Sequence, residues 1–394
     1  MENGHRRLMR ILTPAVAAAA LIYVAGCAPA TASQPAASGG GTASGGEITI
    51  GLVTEVTGPQ TSTGDNQTNG IKQAIEEINS KGGVKGKQIK LQIEDDASTP
   101  PGTVNAFNKM MSGTKPAAVF MPNFANQVMA IEPNVKQAAI PAITGASGVG
   151  VTAAGNPWIF RVRSNDAIMT KLAAEYAVKE MGAKKPGILY VTGEMGAGAQ
   201  KLLDENLKAL GTPPAGIESY NPDDKDVTAQ LLNLQKAGVD VVIGWGYPPD
   251  AAMVMTSVNQ LGVKMKLLGS PAYAVSDALK LAKDAANGTM IITDWIASDD
   301  PAVQDWAKKI ETRAKLPANF IHSVYYDGMN ILAQAIDKAG TDPAALRDAI
   351  KATKGYKGIT GEYSFDDKGD GLRQAYIGQI KDGKPVLLKS IKVQ

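Results

Sequence analysis

From Glu47 onward the chain alternates short β-rich runs with helical stretches, and that alternation leaves few architectures open. The segment "EITIGLVT" reads as a strand, "NGIKQAIEEINSKGG" as an amphipathic helix ending in glycines, "KQIKLQIEDD" as a second strand and "TVNAFNKMM" as a second helix. "AAVFM" and "IPAIT" continue as buried strands flanking a helix that begins near Ala125. This βαβ rhythm implies a mainly parallel sheet covered by helices on both faces.

The same rhythm starts again after "WIFRVR". The helix "AIMTKLAAEYAVKEMG" leads to the strand "PGILYV", the helices "GAQKLLDENLKALG" and "DVTAQLLNLQKAG", and the strand "VDVVIGW". Then come "AAMVMTSVNQLG", "KLLG", "SDALKLAKDA" and "GTMIIT", followed by the helices "SVYYDGMNILAQAIDKAG" and "DPAALRDAIKATKG". The chain closes on "RQAYIGQIKDGKPVLLKSIKV", a hairpin whose Lys-Asp-Gly-Lys supplies the tight turn. With 394 residues there is room for two packed α/β lobes of comparable size.

Ahead of the globular part, Arg6, Arg7 and Arg10 precede the apolar run "ILTPAVAAAALIYVAG" and then Cys27. Charged, apolar and small-residue regions in that order have the form of a secretory signal, and the run is shorter than the ~20 residues of a bilayer span. Val24, Ala25 and Gly26 before the cysteine resemble a bacterial lipobox, which implies cleavage of residues 1–26 and lipidation of Cys27. The stretch 27–46 has no charge and no large apolar side chain, so it reads as a flexible tether. Removing residues 1–26 takes Arg6, Arg7, Arg10 and Glu2 from 40 basic and 38 acidic residues, leaving 37 of each. The formal charge of +2 thus belongs to the export signal, and the balanced body carries no electrostatic footprint for nucleic acid. The anchored body is expected outside the cytoplasm, as a monomer.

Cys27 is the only cysteine, and loss of His5 with the signal leaves His322 as the only histidine. That excludes a disulfide framework, a cysteine nucleophile and a His/Cys metal cluster, so neither metal nor cofactor is expected. His322 reads as a residue at a helix start, and no G-x-S-x-G elbow accompanies it. "GEMGAGAQK" fits neither G-x-x-x-x-G-K-[ST] nor G-x-G-x-x-G; it reads as a strand-to-helix turn whose backbone approaches something in a crevice. Asp95 and Asp96 read as a turn and a helix cap rather than a catalytic pair.

Ligands of open α/β sheets bind beyond the carboxyl ends of the strands. That rule selects the loops "EVTGPQTSTGD", "MPNFANQ", "TGASG", "TGEMGAG", "GWGYPP", "GSPAYA" and "TDWIA". The candidate ligand-binding residues they supply are Thr63, Asn123, Phe124, Gly145, Ser147, Met195, Trp245, Tyr247, Tyr273 and Asp294. They offer hydroxyls, amides and aromatic walls with few proton-transfer groups, which is the equipment of a binder rather than an enzyme.

Two long segments carry a family likeness. "ITIGLVTEVTGPQTSTGDNQTNGIKQAIEEINSKGGVKGKQIKLQIEDDASTPPGTVNAFNKM" and "YYDGMNILAQAIDKAGTDPAALRDAIKATKGYKGITGEYSFDDKGDG" resemble the branched-chain amino-acid-binding (Leu/Ile/Val-type) family of ABC-transporter substrate-binding proteins. The resemblance implies a type I periplasmic binding fold: two doubly wound parallel-sheet lobes joined by three crossings. By analogy lobe 1 comprises 47–164 plus 295–373 and lobe 2 comprises 165–294 plus 374–394. It also implies hinge closure on a small solute and delivery to an ABC permease in the membrane.

In the amino-acid binders the ligand carboxylate meets a serine after the third strand, and a backbone N–H with a Ser/Thr hydroxyl after the fourth. Ser147 and the Gly145 amide match the latter, whereas Asn123 or Phe124 stands in place of the former. The glutamate that holds the ammonium falls in "GSPAYA", which has no acid. Thr63 replaces an aromatic of the first loop, and Met195 replaces a tyrosine. A zwitterion then requires a substitute acid, with Asp294, Glu194 and Asp250 as candidates. Without one, the solute is neutral or a carboxylate, an aromatic one stacking on Trp245, Tyr247 or Phe124. A solute sensor using the same fold and a secreted amidase or hydrolase are the readings from other classes.

Overall fold

The computed structural model describes residues 46–222 and 224–392; Cys27 and the expected signal and tether lie outside them, apart from Gly46. The first body runs β1 (Glu47–Thr54), α1 (Thr61–Ser80), β2 (Gln88–Asp95), α2 (Pro100–Ser112), β3 (Val119–Phe120), α3 (Ala125–Ala138), β4 (Ala142–Thr144), α4 (Gly150–Ala153) and β5 (Ile159–Arg161). Its five strands are all parallel in the order β2-β1-β3-β4-β5. β1 buries Ile48, Ile50, Leu52 and Val53, as expected of a strand covered on both faces. Thr99 starts α2 by accepting the Gly102 N–H at 3.1 Å, with Pro100 at the first helical position where no N–H is needed.

The second body continues with α5 (Asp166–Lys179), β6 (Pro186–Val191), α6 (Glu194–Ala209), β7 (Gly216–Tyr220), α7 (Thr228–Lys236), β8 (Val241–Trp245), α8 (Pro248–Leu261), β9 (Lys266–Gly269), α9 (Ser276–Ala282) and β10 (Met290–Thr293). The chain then returns to pack α10 (Pro301–Ala314), α11 (Phe320–Ala339) and α12 (Pro343–Lys351) on the first body, with the small ladder β11 (Tyr356–Lys357) and β12 (Glu362–Tyr363). It ends in β13 (Gln374–Lys381) and β14 (Lys384–Lys392). The second sheet has the order β14-β13-β10-β9-β8-β6-β7, in which β13 alone runs against the other strands and so pairs antiparallel with both β10 and β14. Asp382 and Gly383 both take positive φ, 49° and 69°, which gives the two-residue turn expected at Lys-Asp-Gly-Lys the twist of its strands.

Besides the short α4, β11 and β12, the sequence reading omits two longer elements, β7 and α10. β7 is a sheet edge with alternating half-buried and exposed residues, so "GIESY" lacks an apolar run. α10 turns only Trp306, Ala307 and Ile310 fully inward, although Asp300 caps it and Pro301 opens it. In addition, α1 begins at Thr61, two turns before the apolar periodicity, and its early buried residues are Thr63, Gly64, Asn66 and Gln67.

Both sheets share one winding: β1 or β6 lies inside the sheet, with the next strand on one side and the following ones on the other. Each therefore has a switch point at its carboxyl edge. The passages between the bodies meet in one buried cluster. Arg163 Nη2 donates to Asp294 Oδ2 at 2.6 Å, the Ser164 N–H donates to Asp294 Oδ1 at 3.0 Å, and Ser164 Oγ donates to the Gln374 carbonyl at 2.6 Å. Among the described residues no helix is long and apolar enough to cross a membrane.

Candidate functional site

A cavity of about 350 Å³ lies between the carboxyl edges of the two sheets. Its size falls in the range of small-molecule sites. The first body contributes Thr63, Asn123, Phe124, Ser147 and Phe320, and the second contributes Met195, Leu202, Trp245, Tyr247 and Ser270. Phe124 and Tyr247 meet edge to face with ring centroids 5.6 Å apart, so the two bodies touch across the cavity and the arrangement is a closed one.

On the first body, each wall residue sits just past a strand. Thr144 Oγ1 donates to the Pro122 carbonyl at 2.7 Å and accepts the Ala146 N–H at 3.0 Å, tying the loop after β3 to the loop after β4. The Ser147 carbonyl is held by Arg161 Nη1 at 2.7 Å and by the Asp166 N–H at 2.9 Å. Two fixed loops thus carry Asn123 and Ser147 to the cavity wall. Gln67, with its amide oriented to satisfy both ends, accepts the Asn123 N–H at 3.2 Å and donates to Glu55 Oε2 at 3.0 Å. Glu55 is fully buried, its Oε1 has no partner, and desolvation together with nearby Asp96 pushes its carboxyl up to about 8. A protonated acid therefore lies under this wall at neutral pH. Asp95 binds the Val56 and Thr57 N–H groups and forms the expected turn, but the cap of α2 is Thr99 and not Asp96.

On the second body, Trp245 ends β8, and Tyr247 precedes α8 with its N–H donated to Asp250 Oδ2 at 2.9 Å. Met195 and Glu194 stand in the first turn of α6, entered through Gly193 at φ 103°. In "GEMGAGAQK" the backbone comes close to its own strand rather than to the crevice: at Gly196 a Cβ would lie 1.8 Å from the Val191 carbonyl oxygen. Gly196→Ala is therefore expected to displace the start of α6, destabilising the protein by roughly 1–3 kcal/mol and weakening solute binding. Chemical denaturation and a solute titration of that variant measure both effects.

Seven of the ten candidate residues line the cavity: Thr63, Asn123, Phe124, Ser147, Met195, Trp245 and Tyr247. Three do not. The Gly145 N–H is already donated to Tyr325 Oη at 2.9 Å, and Tyr273 is fully buried with its ring against Gly244 and Gly269. Asp294 is buried in the crossing cluster with both oxygens engaged, which corrects its reading as a substitute acid. Of the other two substitutes, Asp250 is bound to its own helix start and Glu194 stands exposed at the rim. His322 opens α11 as expected, accepting the Asn319 N–H at 3.2 Å, and burial pushes its imidazole down to about 3. Among the described residues no group of three His, Cys, Asp or Glu side chains is placed to hold a metal ion.

The sequence reading misses two charged wall residues, Arg163 and Asp166. Buried around the crossings are Arg161, Arg163, Asp166, Asp294 and Asp370. Arg161 pairs with Asp370 at 3.0 Å and Arg163 with Asp294 at 2.6 Å. Asp166 is left over, with no ion pair among the described residues. Burial raises its carboxyl, against the pull of Arg163 and of the Ser147 hydroxyl. An acid at the start of a helix reads from sequence as a complement to the helix dipole, which hides the wall position from inspection.

A sheet pair of this winding with a closed, largely apolar cavity between its carboxyl edges defines a two-lobed solute-binding protein. The family model described as "Periplasmic binding protein" matches residues 47–385, and the chain belongs to that family. It is 26% identical over 346 residues, 87% of this chain and 94% of the relative, to Leu/Ile/Val-binding protein homolog 3 of Brucella melitensis. It superposes with a TM-score of 0.81 and 22% identity, over 88% of this chain and 100% of the other, on the branched-chain amino acid transporter substrate-binding protein LivJ from Streptococcus pneumoniae in complex with isoleucine. The solute-binding protein of an ABC transporter from Rhodopseudomonas palustris in complex with 3,4-dihydroxy benzoic acid gives a TM-score of 0.79 at 23% identity, covering 88% and 97% of the two chains. The likeness to solved structures fixes the fold, the type I periplasmic binding fold expected from the sequence.

Proposed function

We propose that this chain is the solute receptor of an ABC importer and closes on an amino acid with an apolar side chain. The observation that carries the reading is the leftover Asp166 on the cavity wall. A buried carboxylate with a hydroxyl beside it but no ion pair among the described residues is unfavourable by several kcal/mol, and an ammonium group relieves that cost. Ser147 and Asn123 offer a hydroxyl and an amide for the solute carboxylate, while Phe124, Met195, Leu202, Trp245 and Phe320 supply apolar walls. The lobes that close are 47–164 plus 295–373 and 165–294 plus 374–394. The mature protein is a monomer held outside the cytoplasm by a lipid at Cys27, with 27–46 as tether. Relatives named for leucine, isoleucine and valine binding support the amino-acid class.

A second reading, an aromatic carboxylate, draws support from Phe124, Trp245 and Tyr247 and from the neighbour bound to a dihydroxybenzoate. The charge of the site disfavours it, because Arg163 is already paired and the buried surplus is acidic. A thermal-shift panel separates the two: L-leucine, L-isoleucine and L-phenylalanine should raise the melting temperature, and 3,4-dihydroxybenzoate should not. The reverse pattern would replace the first reading by the second. Incorporation of a radiolabelled lipid precursor in cells, abolished by Cys27→Ser, tests the anchor.

A further inference from the structure

The start of α9 belongs to the second body, yet its side chains are engaged by the first. Ser276 Oγ donates to the Pro317 carbonyl at 2.6 Å and accepts from Asn319 Nδ2 at 3.3 Å. Asp277 Oδ2 accepts a hydrogen bond from Ser62 Oγ, in the first turn of α1. Two adjacent residues of one body thus make three hydrogen bonds to two separate segments of the other. Neither Ser276 nor Asp277 lines the cavity, and neither do Ser62, Pro317 and Asn319. The neighbouring residue Val275, by contrast, is a wall residue and packs with the core of the first body.

We infer that the Ser276–Asp277 turn is a closure latch, a positioning element that holds the lobes together without touching the solute. This rests on the reading of the protein as a closing receptor. Opening the cleft separates α9 from α1 and from the segment before α11, so these bonds exist only in the closed form. A contact made in one state alone shifts the equilibrium by its own free energy, whatever the solute contributes. Hydrogen bonds to a charged acceptor such as Asp277 are the stronger kind, and a net gain of 1.4 kcal/mol is a factor of ten. The latch sets how long the cleft stays shut, and the wall residues set what it shuts on.

The test uses the full-length protein with Cys27→Ser and spin labels on cysteines introduced at Lys136 and Lys201, exposed positions of α3 and α6, which face each other across the cleft. Pulsed electron–electron distance measurements on solute-free protein report the closed and open populations. Asp277→Ala is expected to lower the closed-to-open ratio roughly tenfold. Ser62→Ala should do the same, and the two together should do no more than either. Asp277→Asn keeps a neutral acceptor for Ser62 and should give a closed population between those of the parent and Asp277→Ala. Distance distributions that stay the same in Asp277→Ala and Ser62→Ala overturn the latch. Equal loss in Asp277→Asn and Asp277→Ala also overturns it, because the acceptor then plays no part. Adding L-leucine to the parent protein is a separate arm: failure to gain closed population there counts against the amino-acid reading and leaves the solute-free comparison intact.

Discussion

Asp166→Asn should bind an amino acid at least a hundredfold more weakly than the parent protein while melting at a higher temperature without solute. The two halves have one cause. In the empty cavity Asp166 is the surplus carboxylate among Arg161, Arg163, Asp294 and Asp370, so neutralising it removes a desolvation cost. In the complex the same substitution leaves a buried ammonium facing an amide, and breaking a buried charge pair costs roughly 3–5 kcal/mol. The pH dependence follows from the direction of the shift. Burial lifts the Asp166 carboxyl above its ordinary 3.8, so on acidification the wall acid becomes neutral at a higher pH than a solvated aspartate would. Amino-acid affinity should therefore fall as pH is lowered toward that range, and Asp166→Asn should abolish the fall. Calorimetric titration at several pH values measures both. A variant that binds normally, or that loses stability along with affinity, would move Asp166 from the solute to the framework.

Glu55→Gln is expected to produce the largest change in stability of any single conservative substitution in the first lobe. The Glu55 carboxyl is pushed up to about 8 in the fold and returns to 4.5 on unfolding. Between those values the folded state keeps a proton that the unfolded chain has released. Stability therefore falls as pH rises from 4.5 and levels off above about 8. Glutamine has the shape of the protonated acid and releases nothing, so its curve lacks that slope. At about 1.4 kcal/mol per pH unit, the variant should exceed the parent by several kcal/mol at pH 8 and by little at pH 5. Denaturant unfolding from pH 5 to pH 9 decides this. Parallel curves for the two proteins would mean that Glu55 is ionised in the fold and that a donor satisfies its Oε1. Because Gln67 joins Glu55 to the Asn123 amide, solute affinity should also hold to higher pH in the glutamine variant.

The sequence exposes the framework of this molecule more readily than its site, for physical reasons. β8 and the β13–β14 hairpin announce themselves because burial on both faces demands an apolar run and a tight turn demands Asp-Gly. β7 has water on one side and the sheet on the other, and five residues are too few for alternation to rise above chance. The first two turns of α1 are polar because they face loops rather than core, so the hydrophobic period starts late. At the site, the strand-end rule finds seven wall residues because it asks only where a residue stands. It fails for Asp294 and misses Asp166 because a carboxylate's role depends on which charges its neighbours have already neutralised. That pairing is set by the three crossings, which bring together residues 163, 294 and 374.

The most direct measurement is a calorimetric titration of the mature protein with L-leucine, with 4-methylpentanoate, which lacks the amino group, and with 3-methylbutylamine, which lacks the carboxylate. Closure on a zwitterion between Asp166 and the Ser147 loop predicts that leucine binds and that each analogue is at least a hundredfold weaker, the acid because it places a carboxylate beside an unpaired aspartate. Binding of 4-methylpentanoate as tight as that of leucine would contradict it.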